Sequence, residues 1–340
     1  MDTKKIKAIQ FGLLSNKEIL DMSVISDDKN GITIPETREN LDPKKGGLSD
    51  LRLGTIDKHL RCQTCGLDAI KCPGHFGHIG LATPVLHISF LQTIVNVLGC
   101  VCIRCSKLLL DRTGKLEKEL QYIIKTSPSK KVRFTRIKNL LKNVKYCNKE
   151  NYGCGAPRPK IKREDRPRID IVAEFTSSQK DEDDTQSSKD KTIRQILSPE
   201  MIYSILKNIS DEDYEILGFN PKVSRLENMI IQTMPVPPVA IRPSVISRDD
   251  NAISDDDLTH KLADIIKINS RIQRHKETHT PYNPESELAK SLRLVLQYHA
   301  ATLFDNEIVG TPSAIQRNGK PIKSITTRLR HKDGRIRGHL

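Results

Sequence analysis

Four residues in one short stretch of the chain have the types and spacing of a metal site. They are Cys62, Cys65, Cys72 and His75, a Cys-x2-Cys pair followed six residues later by a Cys-x2-His pair. Each pair predicts a tight turn that directs two ligand atoms at one ion. Three thiolates and one imidazole are typical of tetrahedral zinc, and four protein ligands leave no position for a reactive water. The spacing predicts a closed, structural zinc site. Disulfides are the alternative, and they would need an oxidising compartment.

A second set of cysteines lies downstream and predicts a second structural zinc ion. Its members are Cys102, Cys105, Cys147 and Cys154. Cys100 is left over, and it is either a buried small residue or the ligand in place of Cys102. His78 follows the first set, and we interpret it as a packed or hydrogen-bonded histidine rather than a fifth ligand.

No catalytic set is recognised in the sequence. We find no grouping of Ser, His and Asp and no glycine-rich phosphate-binding loop. The acidic run at residues 255–257 is interpreted as a helix start, where carboxylates interact favourably with the helix dipole. We therefore assign no catalytic residue.

The charge of the chain favours a polyanionic partner. The formal net charge is +14 and the isoelectric point is about 9.4. Residues 125–168 hold 15 Lys and Arg against three acidic residues, and residues 312–340 hold eight against one. Two basic segments so far apart indicate two contact surfaces, because cations gain by displacing the counterions of phosphates. Solvated loops are the alternative, and a ribosomal or chromatin protein would have a similar charge.

Composition limits the architecture and the compartment. Only 36% of residues are hydrophobic, 4% are aromatic and there is no Trp, which is a lean core for 340 residues. The sequence has neither 18 consecutive apolar residues nor a secretory signal, so we expect an intracellular protein without a membrane span. Thiols stay reduced there, which favours metal binding by the cysteines.

Local patterns predict an α+β fold. A helix is expected from Ser15, where SNKE forms a capping box, and another over residues 199–216. Residues 83–99 predict a strand and then a helix, and residues 235–243 are stiff because they hold four prolines. Two helices over 258–304 predict an exposed antiparallel hairpin, with Lys261 among the charges on its outer face. Residues 176–193 predict a mobile tip.

Six stretches resemble one family, the largest subunit of eukaryotic-type multisubunit DNA-directed RNA polymerases. The resemblance covers nearly the whole chain except the region around 115–195. The stretches are IKAIQFGLLSNKEI at the start, GGLSDLRLGTID and CQTCGLDAIKCPGHFGHIGLATPV within 46–85, CVCIRCSKLLLD at 100–111, DDDLTHKLADIIKIN at 255–269 and NGKPIKSITTRLRHKDGRIRG at 318–338.

The resemblance implies an irregular zinc-stapled clamp domain with a protruding antiparallel helical hairpin. Residues 1–235 would be the clamp core and head with two Zn2+ sites, 236–257 a lid-like segment, 258–304 the clamp coiled coil, 305–325 a rudder-like loop and 326–340 the start of a switch region. The phosphate contacts would be Arg317, Lys320, Lys323, Arg328, Arg330, Lys332, Arg335 and Arg337.

The resemblance also implies partners and a limit on activity. The partners would be template DNA, the RNA–DNA hybrid, the second-largest and other polymerase subunits, and initiation and elongation factors at the hairpin. The family's magnesium-binding aspartate loop is not found in this sequence, so we expect no nucleotidyl transfer by this chain alone. It would be a fragment or one piece of a split subunit, from a large DNA virus (virion or host cell) or a cellular nucleus. A free-standing zinc-containing nucleic-acid-binding module and an enzyme with an unrecognised site are the alternatives.

Overall fold

In the computed structural model, the first helix begins at the residue that the sequence predicts. The Ser15 side-chain oxygen accepts a hydrogen bond from the Glu18 backbone N–H at 3.2 Å, and Glu18 Oε2 accepts one from the Ser15 backbone N–H at 2.7 Å. These reciprocal bonds satisfy two donors that a helix start would otherwise leave unpaired. The predicted capping box at Ser15 is confirmed.

The structure describes residues 7–8, 10–39, 42–110, 115–147, 153–164, 168–177, 191–246, 253–279, 283–316 and 318–339. Within these ranges the helices are α1 (Asn16–Met22), α2 (Leu91–Leu98), α3 (Lys115–Thr126), α4 (Lys130–Leu140), α5 (Pro199–Lys207), α6 (Asp211–Leu217), α7 (Asp257–Thr278), α8 (Glu287–Phe304), α9 (Ile325–Leu329) and α10 (Arg335–His339). None of these helices combines the length and apolar character needed to cross a bilayer.

The strands form four small antiparallel sheets in the described part of the chain. They are β1 (Arg38–Glu39) with β2 (Asp42–Pro43), β3 (Gly77–Leu86) with β7 (Ile230–Val236), β4 (Lys160–Arg163), β5 (Ile171–Ser177) and β6 (Lys191–Leu197) in that order, and β8 (Val245–Ile246) with β9 (Ile253–Ser254). The fold is therefore a mixture of helices and small sheets, as expected. Most of the predicted mobile tip falls on residues 178–190, outside the described ranges, and its two ends belong to β5 and β6.

The pairing of β3 with β7 joins two distant parts of the sequence. Gly77 pairs with Val236 and Leu86 pairs with Ile230, but the register shifts between Gly80 and Val85. A shift of this kind leaves backbone groups of the strand without ladder partners. A side chain of α7 supplies such a partner at Ala82, and a side chain of α8 bonds the backbone of Leu86, as described below.

Two apolar clusters lie on either side of this strand pair. The first is built from residues between Leu86 and Ile230, together with Ala301, and it holds α2, α5 and α6. The second joins residues 25–85 to the segment after β7 and to α7 and α8. The helical hairpin therefore shares its core with the residues that surround the first set of cysteines.

The α7–α8 pair is an antiparallel hairpin, because Lys261 near the start of α7 contacts His299 near the end of α8 at 3.0 Å. Leu262, Ile265 and Ile272 of α7 are buried in the second cluster, so this part of the helix packs on the body. The prediction that Lys261 lies on an exposed outer face is wrong. Its side chain is 1% exposed and its pKa is lowered to about 8, chiefly by burial.

Polar side chains of the hairpin complete the backbone of β3. Asn269 accepts a hydrogen bond from Ala82 N at 2.7 Å and donates one to Gly80 O at 2.8 Å. Gln297 accepts from Leu86 N at 2.7 Å and donates to Leu86 O at 2.9 Å. Asn269 interrupts the apolar stripe of α7 in sequence, and its amide satisfies backbone groups of Ala82, within the shifted stretch, and of Gly80, at its edge.

The single helix predicted over 199–216 is two helices in the structure. Helix α5 ends at Lys207 with Asn208 as its C-cap, and Ser210 caps the start of α6 by accepting a hydrogen bond from Asp213 N at 3.2 Å. A serine in this position competes with helix continuation, because its side chain caps a new helix start. Ser198 caps α5 with Pro199 in the first turn, as predicted.

Candidate metal centres and basic surface

The residues that the sequence predicts for the first metal site come together. The ligand atoms of Cys62, Cys65, Cys72 and His75, hereafter the first cysteine group, all lie within 4.8 Å of one another. The sulfurs of Cys65 and Cys72 are 3.6 Å apart. Tetrahedral zinc with Zn–S bonds of about 2.3 Å needs sulfurs about 3.8 Å apart, so the group has nearly the required dimensions.

The backbone around the first cysteine group holds its sulfurs in place. Gly66 has φ +70° and donates its N–H to Cys62 O at 2.9 Å, which closes the turn of the first pair. The amides of Thr64 and Gly74 point at the sulfurs of Cys62 and Cys72, each at 3.4 Å. Such N–H groups stabilise negative charge on the sulfur, because they donate to the thiolate.

His75 provides an independent indication that the first cysteine group suits a metal. Its backbone N–H donates to Leu53 O at 3.1 Å, which positions the residue. Its Nε2 is buried, and no hydrogen-bond partner is found for it among the described residues. An imidazole nitrogen shielded from water without a partner is costly. Coordination of a metal ion would satisfy it.

The second predicted set also comes together from two segments. The ligand atoms of Cys102, Cys105, Cys147 and Cys154, hereafter the second cysteine group, lie within 4.8 Å of one another. Cys102 and Cys154 sulfurs are 3.6 Å apart, and those of Cys105 and Cys147 are 3.7 Å apart. Cys147 N donates to Ala156 O at 2.8 Å, which holds the second pair in a turn. The four sulfurs therefore also fit a tetrahedral metal ion.

The alternatives left open for Cys100 and His78 are resolved by position. Cys100 is fully buried in the first apolar cluster, outside the second cysteine group, and burial raises the pKa of its thiol to about 11. His78 is 2% exposed and its Nδ1 lies 2.7 Å from Ser23 Oγ. Cys100 is thus a packed thiol, and His78 is a hydrogen-bonded core histidine.

Burial also affects thiols inside both groups. Removal from water raises the pKa of Cys72 to about 11 and that of Cys102 to about 12. A buried thiolate is unfavourable without a nearby cation, and a bound divalent ion reverses that preference. Both groups can therefore hold metal ions, and their donor sets suit a soft or borderline ion such as zinc.

The carboxy-terminal basic segment, residues 312–340, presents several cations to solvent. Exposed members are Lys320, Lys323, Arg330, Lys332, Arg335 and Arg337. Arg317, also predicted as a phosphate contact, lies outside the described residues. These exposed cations lie in and beside α9 and α10, where they can meet a polyanion.

Two arginines of this segment have carboxylate partners within the chain. Arg328 is half-buried, and its Nη2 contacts both oxygens of Asp256 at 2.6 and 2.8 Å. Asp256 also caps α7, since it accepts a hydrogen bond from Leu258 N. The pair ties α9 to the start of the hairpin. Arg330 forms a more exposed ion pair with Glu307 at 2.9 Å.

Sequence reasoning missed Arg242, which is central to the segment after β7. It is 2% exposed and donates to Pro237 O at 3.0 Å, to Thr259 Oγ1 at 3.3 Å and to Leu48 O. Burial lowers its pKa to about 10. An arginine in a proline-rich stretch carries no sequence signal of burial, because its partners are carbonyls of remote segments.

Comparison with known proteins links both cysteine groups and the basic segment to one family. The family model described as RNA polymerase Rpb1, domain 1, matches residues 3–340. The chain is similar to DNA-directed RNA polymerase subunit 1 of Acanthamoeba polyphaga mimivirus, with 43% identity over 344 residues. The match covers 98% of this chain but 22% of the length of that relative.

Proposed function

Because the chain belongs to the family of the first domain of RNA polymerase Rpb1, we propose that it is the clamp portion of a largest subunit. In this role it holds DNA and the RNA–DNA hybrid during transcription. Two features of the chain support the proposal. They are the two cysteine groups and the exposed carboxy-terminal basic segment. We assign no step of nucleotidyl transfer to its residues, and any catalytic Mg2+ belongs to the complete polymerase.

Zinc is the ion that we propose for both cysteine groups, in a structural role. Four protein ligands in each group leave no open position, so the ion would stabilise the fold without activating water. The first group would fix the loop that precedes β3, and the second would join the turn after α2 to the segment before β4. Both ions would keep the clamp in shape.

The parts of the chain have distinct proposed tasks. Residues 1–235 serve as clamp core and head, 236–257 as a lid-like segment and 258–304 as the clamp coiled coil. Residues 305–325 form a rudder-like loop and 326–340 begin a switch region. The second-largest and other polymerase subunits are proposed partners, and the exposed end of the hairpin, where Leu288 is 54% exposed, would receive initiation and elongation factors.

The exposed cations of the carboxy-terminal basic segment carry the proposed DNA contact. Lys320, Lys323, Lys332, Arg335 and Arg337 have side chains in solvent, and cations of this kind bind phosphates without reading sequence. Arg328, held by Asp256, would instead position the segment on the hairpin. Arg317 and Arg330 complete the proposed set.

Salt dependence of DNA binding tests this proposal. Replacing Lys320, Lys323, Lys332, Arg335 and Arg337 together by glutamine should weaken duplex binding by the reduced chain. Each cation that no longer neutralises a phosphate should lower the slope of log K against log salt by about 0.9. Fluorescence anisotropy over a salt series measures this slope.

Lys222→Gln is a control for loss of a cation elsewhere on the surface, because Lys222 is exposed outside the segment and its replacement removes one charge. The control should leave the slope unchanged. A five-fold variant with the slope of the unaltered chain would contradict the proposed contact surface.

A further inference from the structure

A cleft that neither cysteine group nor the carboxy-terminal basic segment explains lies at the start of the other basic stretch, residues 125–168. The cleft lies between α3 and α4, which form a helix pair joined by Ser127-Pro128-Ser129. It has a volume of about 480 Å³ and is open to solvent. Its lining residues are Tyr122, Ile123, Thr126, Arg136, Asn139 and Leu140.

The cleft is lined by side chains of several chemical types. The side chain of Tyr122 is 69% exposed, whereas Ile123 and Leu140 are partly buried and form an apolar floor. Arg136 Nη1 lies 3.3 Å from Thr126 Oγ1, so its guanidinium is placed at the cleft by a neutral partner. The cleft thus combines an aromatic face, an apolar floor, an amide and a cation.

The segment that forms most of the cleft carries only positive charge along its sequence. Residues 120–147 contain eight lysines and arginines and no aspartate or glutamate. Three of these cations contact neutral groups: Arg133 the Glu215 carbonyl, Arg136 the Thr126 hydroxyl and Lys138 the Asn96 amide. The two carboxylates of α3, Glu117 and Glu119, do not line the cleft.

We infer that the α3–α4 cleft binds an unpaired nucleotide of a single-stranded nucleic acid, whose base stacks on Tyr122 and whose phosphates contact Arg136 and its neighbouring cations. An exposed aromatic ring beside several cations is the arrangement that holds single strands, because every base offers a face for stacking. Base-paired strands do not fit, since their bases are already stacked and shielded. Asn139 can donate to and accept from the base edge.

The inference goes beyond the proposed duplex-holding role, because it concerns a different segment and an unpaired strand. The test therefore uses the full chain in which Lys320, Lys323, Lys332, Arg335 and Arg337 are glutamine. That background removes most of the proposed duplex contacts, so a loss of single-strand binding on further substitution of Tyr122 or Arg136 reports on the cleft. Fluorescent oligouridine and oligothymidine of about 8 nucleotides serve as RNA and DNA probes, a length within the range that one binding surface covers.

Tyr122→Ala should weaken binding of the single strands about 10-fold, the size expected for removal of one stacked base. Tyr122→Phe should bind nearly as well as the parent, because the aromatic face remains. Arg136→Gln should weaken single-strand binding and reduce its salt slope. Lys222→Gln, the control, should change neither the affinity nor the slope. Thermal unfolding of each variant checks that the exposed substitutions leave the fold intact.

Photo-cross-linking with 5-iodouracil in either probe locates the bound strand. Cross-links to α3 or α4 that duplex DNA does not compete away support the inference, and the stronger of the two probes identifies RNA or DNA as the source. Equal binding by Tyr122→Ala and the parent, or cross-links confined to residues outside α3 and α4, would overturn it. An unchanged salt slope in the five-fold background alone counts against the duplex surface and not against the cleft.

Discussion

The two cysteine groups use the same turn but assemble in different ways. In the first, Gly66 adopts φ +70° and donates to Cys62 O, and in the second Ser106 adopts φ +60° and donates to Cys102 O, each at 2.9 Å. The first group lies within 14 consecutive residues, 62–75. The second spans the chain between Cys105 and Cys147, 42 positions apart, and encloses α3 and α4. One group therefore shapes a local loop, whereas the other closes a long one.

Removal of a ligand should have the largest effect and should separate the two groups. Cys72→Ser and Cys147→Ser should each release one of two bound zinc ions and lower the free energy of unfolding by several kcal/mol. Cys147→Ser should cost roughly 1 to 2 kcal/mol more, because the loop that it opens is longer. Chemical denaturation and metal analysis measure both quantities.

Hydrogen exchange adds location to this comparison. Cys147→Ser should increase exchange in α3, α4 and β4, whereas Cys72→Ser should affect the loop before β3. Cys100→Ala is the matched control, since Cys100 lies outside both groups, and it should retain both ions. Full zinc content in either ligand variant would refute the assignment of that group.

Arg158 should show a smaller effect confined to the second group. Its guanidinium donates to the carbonyls of Leu141, Lys142 and Val144 and, at 2.6 Å, to that of Gly99. It thus ties the end of α4 to the turn before Cys102. Arg158→Ala should lower stability by about 2 kcal/mol, because several partly buried carbonyls are deprived of a charged donor.

Urea denaturation of Arg158→Ala measures this decrease, with Lys145→Ala as a control for an exposed cation nearby. Exchange rates in the first cysteine group should not change. An equal increase of exchange rates around both cysteine groups would show that Arg158 supports the whole fold rather than the second group alone.

The left-handed turn residues should give the smallest difference. Gly66→Ala places a Cβ at positive φ and should cost about 1 kcal/mol, although its Cβ would meet no atom within 4 Å. Ser106→Ala should cost less from backbone strain, because a Cβ is already present there. Thermal unfolding compares the two, and a larger decrease from Ser106→Ala would indicate that its hydroxyl, not its backbone, supports the turn.

The ligand pairs and helix caps were accessible from the sequence because both depend on short spacing. Cys-x2-Cys and Cys-x2-His need only local turns, and the Ser15 and Ser198 caps satisfy donors within three residues. The acidic helix start was also confirmed, since Asp256 caps α7. The sequence alone did not decide whether Cys100 or Cys102 belongs to the second cysteine group. The two residues are close in sequence, and the choice depends on which of their side chains the turn directs toward the other ligands.

Features that depend on remote partners were not predictable in the same way. Lys261 has the sequence environment of an exposed charge, yet α8 covers it. Asn269 breaks an apolar stripe for a reason that lies in the register of β3. The cleft beside Tyr122 depends on how α3 and α4 pack, which helical periodicity alone does not define.

The amide contacts of Asn269 and Gln297 with β3 fix the position of the helical hairpin along this strand. A shift of the hairpin along the strand would break four hydrogen bonds, because each amide bonds both an N–H group and a carbonyl group of β3. The same strand begins two residues after His75. The hydrogen bonds therefore connect the hairpin, through β3, to the loop that holds the first cysteine group.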